Sequence, residues 1–308
     1  MPQVCYLPDE KRVEAEAGET LLHASLRASI AHAHACGGNA RCSTCRVLIV
    51  DGLEHCAPPN NKESVLAERL HFSPDIRLAC QTTVSGDVEL RRLVLDAEDL
   101  ELTNLFNAGG SPTSVGEEKQ VAILFADIRG FTSFAERLLA YDVVHVLNRY
   151  FHQVGQAIQR NGGCIDNYMG DGLMALFGVE DSRDASLHAI RAGLDMLEAV
   201  ERLRPYLQNI YTRSFQIGIG VHYGEVVVGA IGHGETKRVT AIGDAVNLAS
   251  RIESVNKQAG TEFLISEETY IHVKELIRIG KSIEVTLPGK SGQYALYEVL
   301  GMREPDIA

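Results

Sequence analysis

The chain has 308 residues, of which 45% are hydrophobic and 23% are charged, with a formal net charge of −12 at pH 7. At ~150 residues per domain this length predicts two domains, and no apolar stretch approaches the ~18 residues of a membrane span. The acidic balance argues against a nucleic-acid binder, and the charged N-terminus is unlike a secretory signal. We therefore expect a cytoplasmic protein without a nucleic-acid or membrane partner, in which clustered cysteines are metal ligands or redox groups.

The first chemically informative region is a cysteine loop that follows a predicted helix. Residues 21–35 are apolar at helical spacing, and we expect one helix that ends at Gly37 and Gly38. The residues directly after the loop, RVLIV, predict an apolar strand. The cysteines are Cys36, Cys42 and Cys45, with Cys80 farther along in RLACQTTV. Three thiolates on one loop and one distant thiolate are typical of an iron–sulfur cluster, with a structural zinc ion or inert buried cysteines as alternatives.

This pattern resembles that of the 2Fe-2S ferredoxins of adrenodoxin type, over residues 1–95. The resemblance implies a β-grasp fold and a 2Fe-2S cluster held by Cys36, Cys42, Cys45 and Cys80. Residues 96–118 hold six acidic residues and no basic one, and they include NAGGSPTSVG, so we place a linker there. Residues 91–106 mix apolar and acidic positions in a way that is compatible with a helix.

The second unit opens with VAILFADIRGFTSFAERL, which predicts a buried strand, a tight turn at Gly130 and a helix. Asp127 stands at the strand end, where a carboxylate is well placed to hold a metal ion that bridges phosphates. The first turn of a helix offers unpaired N–H groups to those phosphates. We expect one long helix from Phe131 to the glycines at 162 and 163.

A second carboxylate follows 44 residues later, in CIDNYMGDGLMALFG. Here Asp171 occupies the tip between two strand-like runs, and we expect strand pairs at 164–178 and 215–231. Two carboxylates at strand ends suit a pair of Mg²⁺ ions. In KRVTAIGDAVNLASRIES a helix is expected to start near Asp244, and four-residue spacing places Asn247 and Arg251 on one of its faces.

These segments together resemble the catalytic domain of class III nucleotidyl cyclases, which we place at residues 119–300. FADIRGFT matches the family pattern FxDIxGFT, and GDAVNLASR matches GDxxNxAxR. The resemblance implies a ferredoxin-like mixed sheet flanked by helices, so the fold class is α+β. It also implies a homodimer with shared sites, in which two Mg²⁺ or Mn²⁺ ions support cyclisation of a nucleoside triphosphate. The implied metal ligands are Asp127, Ile128 through its carbonyl, and Asp171. The implied catalytic pair is Asn247, orienting the ribose, and Arg251, stabilising the phosphorus centre.

This chain departs from the family pattern at the positions that recognise the purine base. Adenylyl cyclases of this family usually have Lys four residues before the second metal Asp, and this chain has Asn167. Thr240 fits the adenylyl subgroup that uses Thr, so ATP is favoured and GTP is the alternative. The implied triphosphate contacts are Gly130, Phe131, Thr132 and Lys290, where Lys290 replaces a usual Lys at the position of Pro288. Lys237 and Arg238 are alternatives to Lys290, and all three basic residues rank below the other contacts.

A ferredoxin module ahead of a cyclase module predicts an adenylate cyclase regulated by its cluster, with a redox partner among its expected contacts. Three alternatives remain at this point. One is a guanylate cyclase. Another is an electron-transfer protein whose inactive cyclase-like domain only dimerises. The third is a non-catalytic nucleotide-binding regulator, which only Asn167 and Pro288 favour.

Overall fold

The computed structural model describes residues 1–94, 116–232 and 238–303. The backbone divides into two compact units, Met1–Gly116 and Glu117–Ala308. The helix considered for residues 91–106 does not begin at 91, because Arg91 and Arg92 end a strand. Its residues beyond position 94 lie outside the described ranges. The limits of the predicted domains and of the linker stay a prediction. Within the described ranges, no helix combines the length and the apolar character needed to cross a membrane.

The first unit is built on a five-stranded sheet in the order β2-β1-β5-β3-β4. The strands are β1 Gln3–Leu7, β2 Lys11–Glu14, β3 Arg46–Asp51, β4 Ile76–Leu78 and β5 Val88–Arg92. Strands β1 and β5 are parallel and the other neighbours are antiparallel. Val4 and Tyr6 of β1 are fully buried, because alternate side chains of a strand share one face. With helices α1 (Leu21–Arg27) and α2 (Asn61–Arg69), this mixed sheet confirms the predicted fold class for the unit.

The first helix is shorter than the sequence predicted. Thr20 caps it by accepting a hydrogen bond from the His23 N–H at 3.2 Å, and the helix ends at Arg27. Ser29 takes a φ of 55°, a left-handed conformation that does not continue a helix. The prediction of one helix over 21–35 is therefore wrong, since apolar spacing did not reveal this turn.

The second unit contains an eight-stranded sheet, with seven strands in the order β12-β13-β11-β9-β6-β8-β7 and β10 paired to β9. The strands are β6 Gly116–Ile128, β7 Gly163–Met169, β8 Gly172–Phe177, β9 Ile217–Ile231, β10 Arg238–Ile242, β11 Phe263–Ser266, β12 Ile277–Val285 and β13 Tyr294–Met302. The helices are α3 Phe131–Ala135, α4 Ala140–Arg160, α5 Ala185–Tyr211, α6 Asp244–Ala259 and α7 Glu267–Val273. A mixed sheet flanked by helices confirms the predicted α+β class here too.

Strand β6 shows why both faces of this sheet are covered. Ala122 and Leu124 belong to the core shared with α4 and α5, whereas Val121 and Ile123 pack with residues of α6. All four side chains are fully buried. A strand buried on both faces reads as a continuous apolar run, as VAILF does.

The predicted long helix over 131–163 is instead two helices, α3 and α4. Phe134 of α3 is buried edge-on against Phe215, whereas α4 buries Val146 and the residues that follow at helical spacing. A continuous helix would turn Val146 about 120° away from Phe134, at ~100° per residue. The turn between the helices lets both side chains reach the core, so the single-helix prediction is wrong.

The predicted strand pair at 164–178 is confirmed as the β7–β8 hairpin. The pair predicted at 215–231 is wrong, because this segment forms the single strand β9. The first half of β9 pairs with β11, and the second half pairs with β10. Strand β9 also borders β6, so all of its partners lie outside residues 215–231 and beyond the reach of a local pattern.

Candidate functional site

The cysteine loop gathers its thiols in two pairs. Cys45 and Cys80 are buried, and Cys36 and Cys42 are partly buried. A hydrogen bond from Cys42 lowers the pKa of Cys36 to about 5, and one from Cys45 lowers the pKa of Cys80 to about 7. The same bonds raise the pKa values of the two donor thiols. Each pair thus places two sulfurs within hydrogen-bonding range of one another.

Polar groups around these sulfurs also suit bound iron. The Arg41 N–H donates to Cys36 Sγ at 3.4 Å, and Gln81 Nε2 donates to Cys80 Sγ at 3.3 Å. Cys42 Sγ lies 3.1 Å from the Thr44 hydroxyl. Such donors stabilise thiolates and tune an iron–sulfur cluster. Four soft donors with hydrogen bonds to the sulfurs therefore fit a 2Fe-2S group.

The carboxylate pair of the second unit lies where β6 and the β7–β8 hairpin end side by side. Ala126 of β6 is opposite Leu173 of β8, so the next residue of β6 meets the hairpin tip. A Cβ added at Gly172 would lie only 3.0 Å from Asp127 Oδ1, which explains the glycine. Burial, then the charge of Asp127 and a hydrogen bond with it, raise the pKa of Asp171 to about 6. The two acids are therefore in direct contact, and their mutual repulsion favours a bound cation.

A cleft of 230 Å³ adjoins Asp127, and its lining includes Phe125, Met169, Ser250 and Glu253. Burial, and then the charge of Asp127, raise the pKa of Glu253 to about 7. The sequence analysis missed Glu253, although it lies on the predicted helix two residues past Arg251. A larger depression of 620 Å³ lies elsewhere on this unit and contains neither carboxylate of the pair, so size alone does not identify the site.

Tyr150 lies beneath these acids. Its side chain is fully buried, and within the described part of the chain its hydroxyl has no hydrogen-bond partner. Burial and the charges of Asp127, Asp171 and Glu253 raise its pKa, so it stays protonated.

Across the described ranges, no three Cys, His, Asp or Glu side chains are grouped as ligands of one metal ion.

The catalytic pair predicted on α6 faces away from the carboxylates. Arg251 follows Asn247 by one helical turn, but it is two residues from Glu253, so the helix turns those two about 200° apart. Arg251 instead lies beside Gly289, and its Nη1 is buried without a partner among the described residues. Asn247 is exposed. One protomer therefore brings Asp127 and Asp171 together but leaves Asn247 and Arg251 apart from them.

The predicted phosphate contacts are dispersed as well. Gly130 has a φ of 66° and begins helix α3, which contains Phe131 and Thr132. Lys290 forms an ion pair with Asp244 at the start of α6. Lys237 lies outside the described residues. Arg238, the other alternative, donates a hydrogen bond to Asn167, a predicted base-reading residue, and not to a predicted phosphate contact.

The two predicted base-reading residues belong to one hydrogen-bonded network. Arg238 Nη1 donates to Asn167 Oδ1 at 3.0 Å, and Arg238 Nη2 donates to the Asp166 carbonyl at 3.0 Å. The Thr240 hydroxyl donates to Asp166 Oδ2 at 2.7 Å. Sequence reasoning missed Asp166, because the register shift in β7 that brings it beside β10 is a structural feature without a clear sequence signal.

Comparison with known families covers both units. The model of the adenylate and guanylate cyclase catalytic domain matches residues 114–301, and the model of the 2Fe-2S iron–sulfur cluster binding domain matches residues 6–85. The latter family implies a 2Fe-2S cluster for the first unit.

Individual proteins are similar over the second unit. An adenylate cyclase of Anabaena cylindrica is 38% identical over 189 residues, which is 59% of this chain and 37% of that protein. The crystal structure of the guanylyl cyclase Cya2 has a TM-score of 0.58 and 34% identity, covering 62% of this chain and 97% of that chain. The adenylyl cyclase CyaB from P. aeruginosa has a TM-score of 0.57 and 30% identity, covering 61% and 96%. The chain spans less than two thirds of the length of the curated relatives it matches.

Proposed function

Because the chain belongs to the family of adenylate and guanylate cyclase catalytic domains, we propose that it converts ATP to 3′,5′-cyclic AMP and pyrophosphate. The observation that carries the proposal is the contact between the Asp127 and Asp171 carboxylates at adjoining strand ends. Paired carboxylates at such a place suit a substrate that arrives as a metal–triphosphate complex.

Asp127 and Asp171 would hold two Mg²⁺ or Mn²⁺ ions, with the Ile128 carbonyl as a further ligand. Oxygen donors match these hard cations. When bound, such ions supply Lewis-acid activation of the ribose 3′-hydroxyl and of the α-phosphate. The backbone of residues 130–132 would hold the phosphates, with Gly130 allowing a close approach. Lys290 would contribute a positive charge to the triphosphate after leaving Asp244.

Asn247 and Arg251 would act on the substrate from a second copy of the chain. Arg251 would stabilise the charge on the phosphorus in the transition state, and Asn247 would orient the ribose. Their orientation away from the carboxylates of their own protomer supports a homodimer in which each site is shared.

An exposed apolar surface on the β9–β10 ribbon also supports a homodimer. Val227 and Ile242 lie opposite each other, and they are 40% and 48% exposed. Ile231, on the same face of β9, is 47% exposed. Thr240 shares this face of the ribbon, since it alternates with Ile242. A partner that covers these side chains would approach the predicted base-reading residues.

The first unit would regulate the second through its 2Fe-2S cluster. Reduction adds one negative charge to the cluster, and loss of the cluster would unfold the cysteine loop. Either change acts on cyclase output if the dimer has two arrangements of different activity. A redox partner that exchanges electrons with the cluster would set its state.

The test is to incubate the purified, cluster-containing chain with ATP or GTP and Mg²⁺ or Mn²⁺, under oxidising and reducing conditions. We expect cyclic AMP from ATP and an Asp127→Ala variant with no measurable turnover, while the surface variant Asp181→Ala keeps the wild-type rate. Asp181 is a suitable control because it pairs with Arg183 on the surface. Cyclic GMP as the main product would favour the guanylate cyclase alternative, which the likeness to Cya2 supports. Electron transfer without any cyclic product would favour the ferredoxin alternative.

A further inference from the structure

The last strand of the first unit, β5, ends beside the residue that leaves the cysteine loop. Arg92 of β5 is opposite Val47 of β3. The next amide, that of Leu93, donates a hydrogen bond to the Arg46 carbonyl at 3.4 Å. Since Arg46 directly follows Cys45 in the sequence, the end of β5 is attached to one flank of the loop.

The side chain of Arg92 extends to the other flank of the loop. Its Nη1 donates to the carbonyl of Ala31, which lies between helix α1 and Cys36. Its Nη2 pairs with the carboxylate of Asp9, in the turn between β1 and β2. The end of β5 therefore contacts the segment that enters the cysteine loop as well as the residue that leaves it.

The segment that enters the loop is bonded to the loop itself. The Ala35 N–H donates to the Thr44 hydroxyl at 2.9 Å, and this hydroxyl lies 3.1 Å from Cys42 Sγ. Ala31 is only four residues before Ala35. We therefore expect a rearrangement around Cys42 to displace the carbonyl that binds Arg92.

Arg92 occupies a position that packing alone would give to an apolar side chain. Val88 and Leu90 lie on the same face of β5 and are buried, because alternate residues of a strand share a face. The Arg92 side chain is only 4% exposed, and its Nε has no hydrogen-bond partner among the described residues. Burying a guanidinium is costly unless its charge and its donors are satisfied. The Ala31 carbonyl and Asp9 are therefore the groups that hold this side chain in place.

We infer that Arg92 is a positioning residue that links the state of the cysteine loop to the point where the chain leaves the first unit. While the loop is ordered around a cluster, the Ala31 carbonyl holds Arg92. Once the loop rearranges on loss of the cluster, the buried guanidinium keeps only Asp9, and the end of β5 is released. The inference rests on the proposed regulation of the second unit by the first, and it places that regulation in a residue outside the cysteine loop.

The test measures hydrogen exchange in the full chain, with the cluster bound and after its removal by an iron chelator. In wild type we expect the amides of residues 91–94 to exchange about tenfold faster without the cluster, as for a typical coupling free energy. The amides of β1 should change less. An equal acceleration in β1 and β5 would mean that the whole unit unfolds, and it would overturn the inference.

Arg92→Met removes the bond to Ala31 and keeps a long side chain in the same space. We expect this variant to retain the visible absorption of the cluster, but to exchange residues 91–94 rapidly in both states. Arg91→Met is the matched control, because Arg91 is the neighbouring arginine on the exposed face of β5. Arg91→Met should keep the wild-type difference between the two states. The same difference retained in Arg92→Met would show a merely structural arginine and would overturn the inference.

Asp9→Ala decides the question if Arg92→Met does not hold the cluster. Asp9 lies in a turn with its side chain 35% exposed, so its removal should leave the fold intact. The guanidinium of Arg92 then has the Ala31 carbonyl alone. We expect residues 91–94 to exchange faster with the cluster bound, so that the difference between the two states becomes smaller. An unchanged difference in Asp9→Ala would overturn the inference in that case.

The rate of cyclic AMP formation separates this inference from the proposed function. If wild type gives no cyclic product, or a rate that does not depend on the cluster, the proposed function or its regulation fails, and hydrogen exchange still decides the inference. If the rate depends on the cluster, Arg92→Met should lose this dependence and Arg91→Met should keep it. A rate that depends on the cluster equally in wild type and in Arg92→Met would overturn the inference.

Discussion

The two units use their reactive side chains in different ways. In the first unit the thiols form two pairs within one protomer, Cys36 with Cys42 and Cys45 with Cys80. In the second unit the carboxylates meet each other, but the helix that carries Arg251 turns that side chain away from them. The proposed cluster site would thus be complete in one chain, whereas the proposed cyclase site would be complete only between two copies.

The largest expected effect tests this division directly. Asp127→Ala and Arg251→Ala should each be nearly inactive alone, with ~10²- to 10³-fold lost for the arginine. Co-expressed in equal amounts, they should regain about a quarter of wild-type activity, since half of the dimers are mixed and each mixed dimer has one intact site of two. The measurement is cyclic AMP formation by the co-purified chains carrying different tags.

A matched mixture serves as the control. Asp127→Ala co-expressed with Asp171→Ala places both defects in the carboxylate half, so no site is intact and no activity should return. Failure of the Asp127→Ala and Arg251→Ala mixture to recover, with mixed dimers demonstrated by the tags, would contradict a shared site.

A smaller effect is expected from the self-contained thiol site. Cys80→Ser removes a buried thiol that we propose as a cluster ligand, and we expect loss of the visible absorption of the cluster. Cyclic AMP formation should change about fivefold if the units are coupled with the energy usual between regulated sites. Cys56→Ser, a partly buried cysteine of the same unit outside the loop, should keep both cluster and rate. Loss of the cluster at an unchanged rate would show that the first unit does not regulate the second.

The contrast also explains which parts of the molecule the sequence could predict. The sequence predicts the ligand cysteines because three lie within ten residues, and it predicts Asp127 and Asp171 because one lies near a strand end and the other at a hairpin tip. Glu253 and Asp166 were missed, since their roles depend on a helix face and on a β-bulge. The break between α3 and α4 was missed because both halves have strong helical spacing, and the change of buried face appears only when Phe134 meets Phe215.

The smallest effect concerns negative charge. The thiol pairs of the first unit limit it by sharing protons, whereas the neighbouring acids of the second unit concentrate it. The pKa of Glu253 rises from 4.5 to about 7 on folding, chiefly through burial and then through Asp127. An acid with a raised pKa stabilises the folded chain below pH 4.5, and this stability is lost as the pH rises through 7. In buffer without divalent metal, the stability of Glu253→Gln relative to wild type should therefore increase as the pH rises from 4.5 to 7. Discounted for solvent screening, the gain is about 1 kcal/mol, or about 2–4 °C in Tm.

Thermal unfolding at pH 4.5 and pH 8 gives the measurement, and Glu198→Gln is the control. Glu198 is exposed and pairs with Arg202 on the surface, so its variant should follow wild type at both pH values. If Glu253→Gln raises Tm equally at the two pH values, the stabilisation reflects packing and not charge. A gain confined to pH 8 and removed by Mg²⁺ would show that repulsion among Asp127, Asp171 and Glu253 is what a bound cation relieves. The acids that weaken the metal-free protomer are then the same ones that favour binding of a metal–triphosphate substrate.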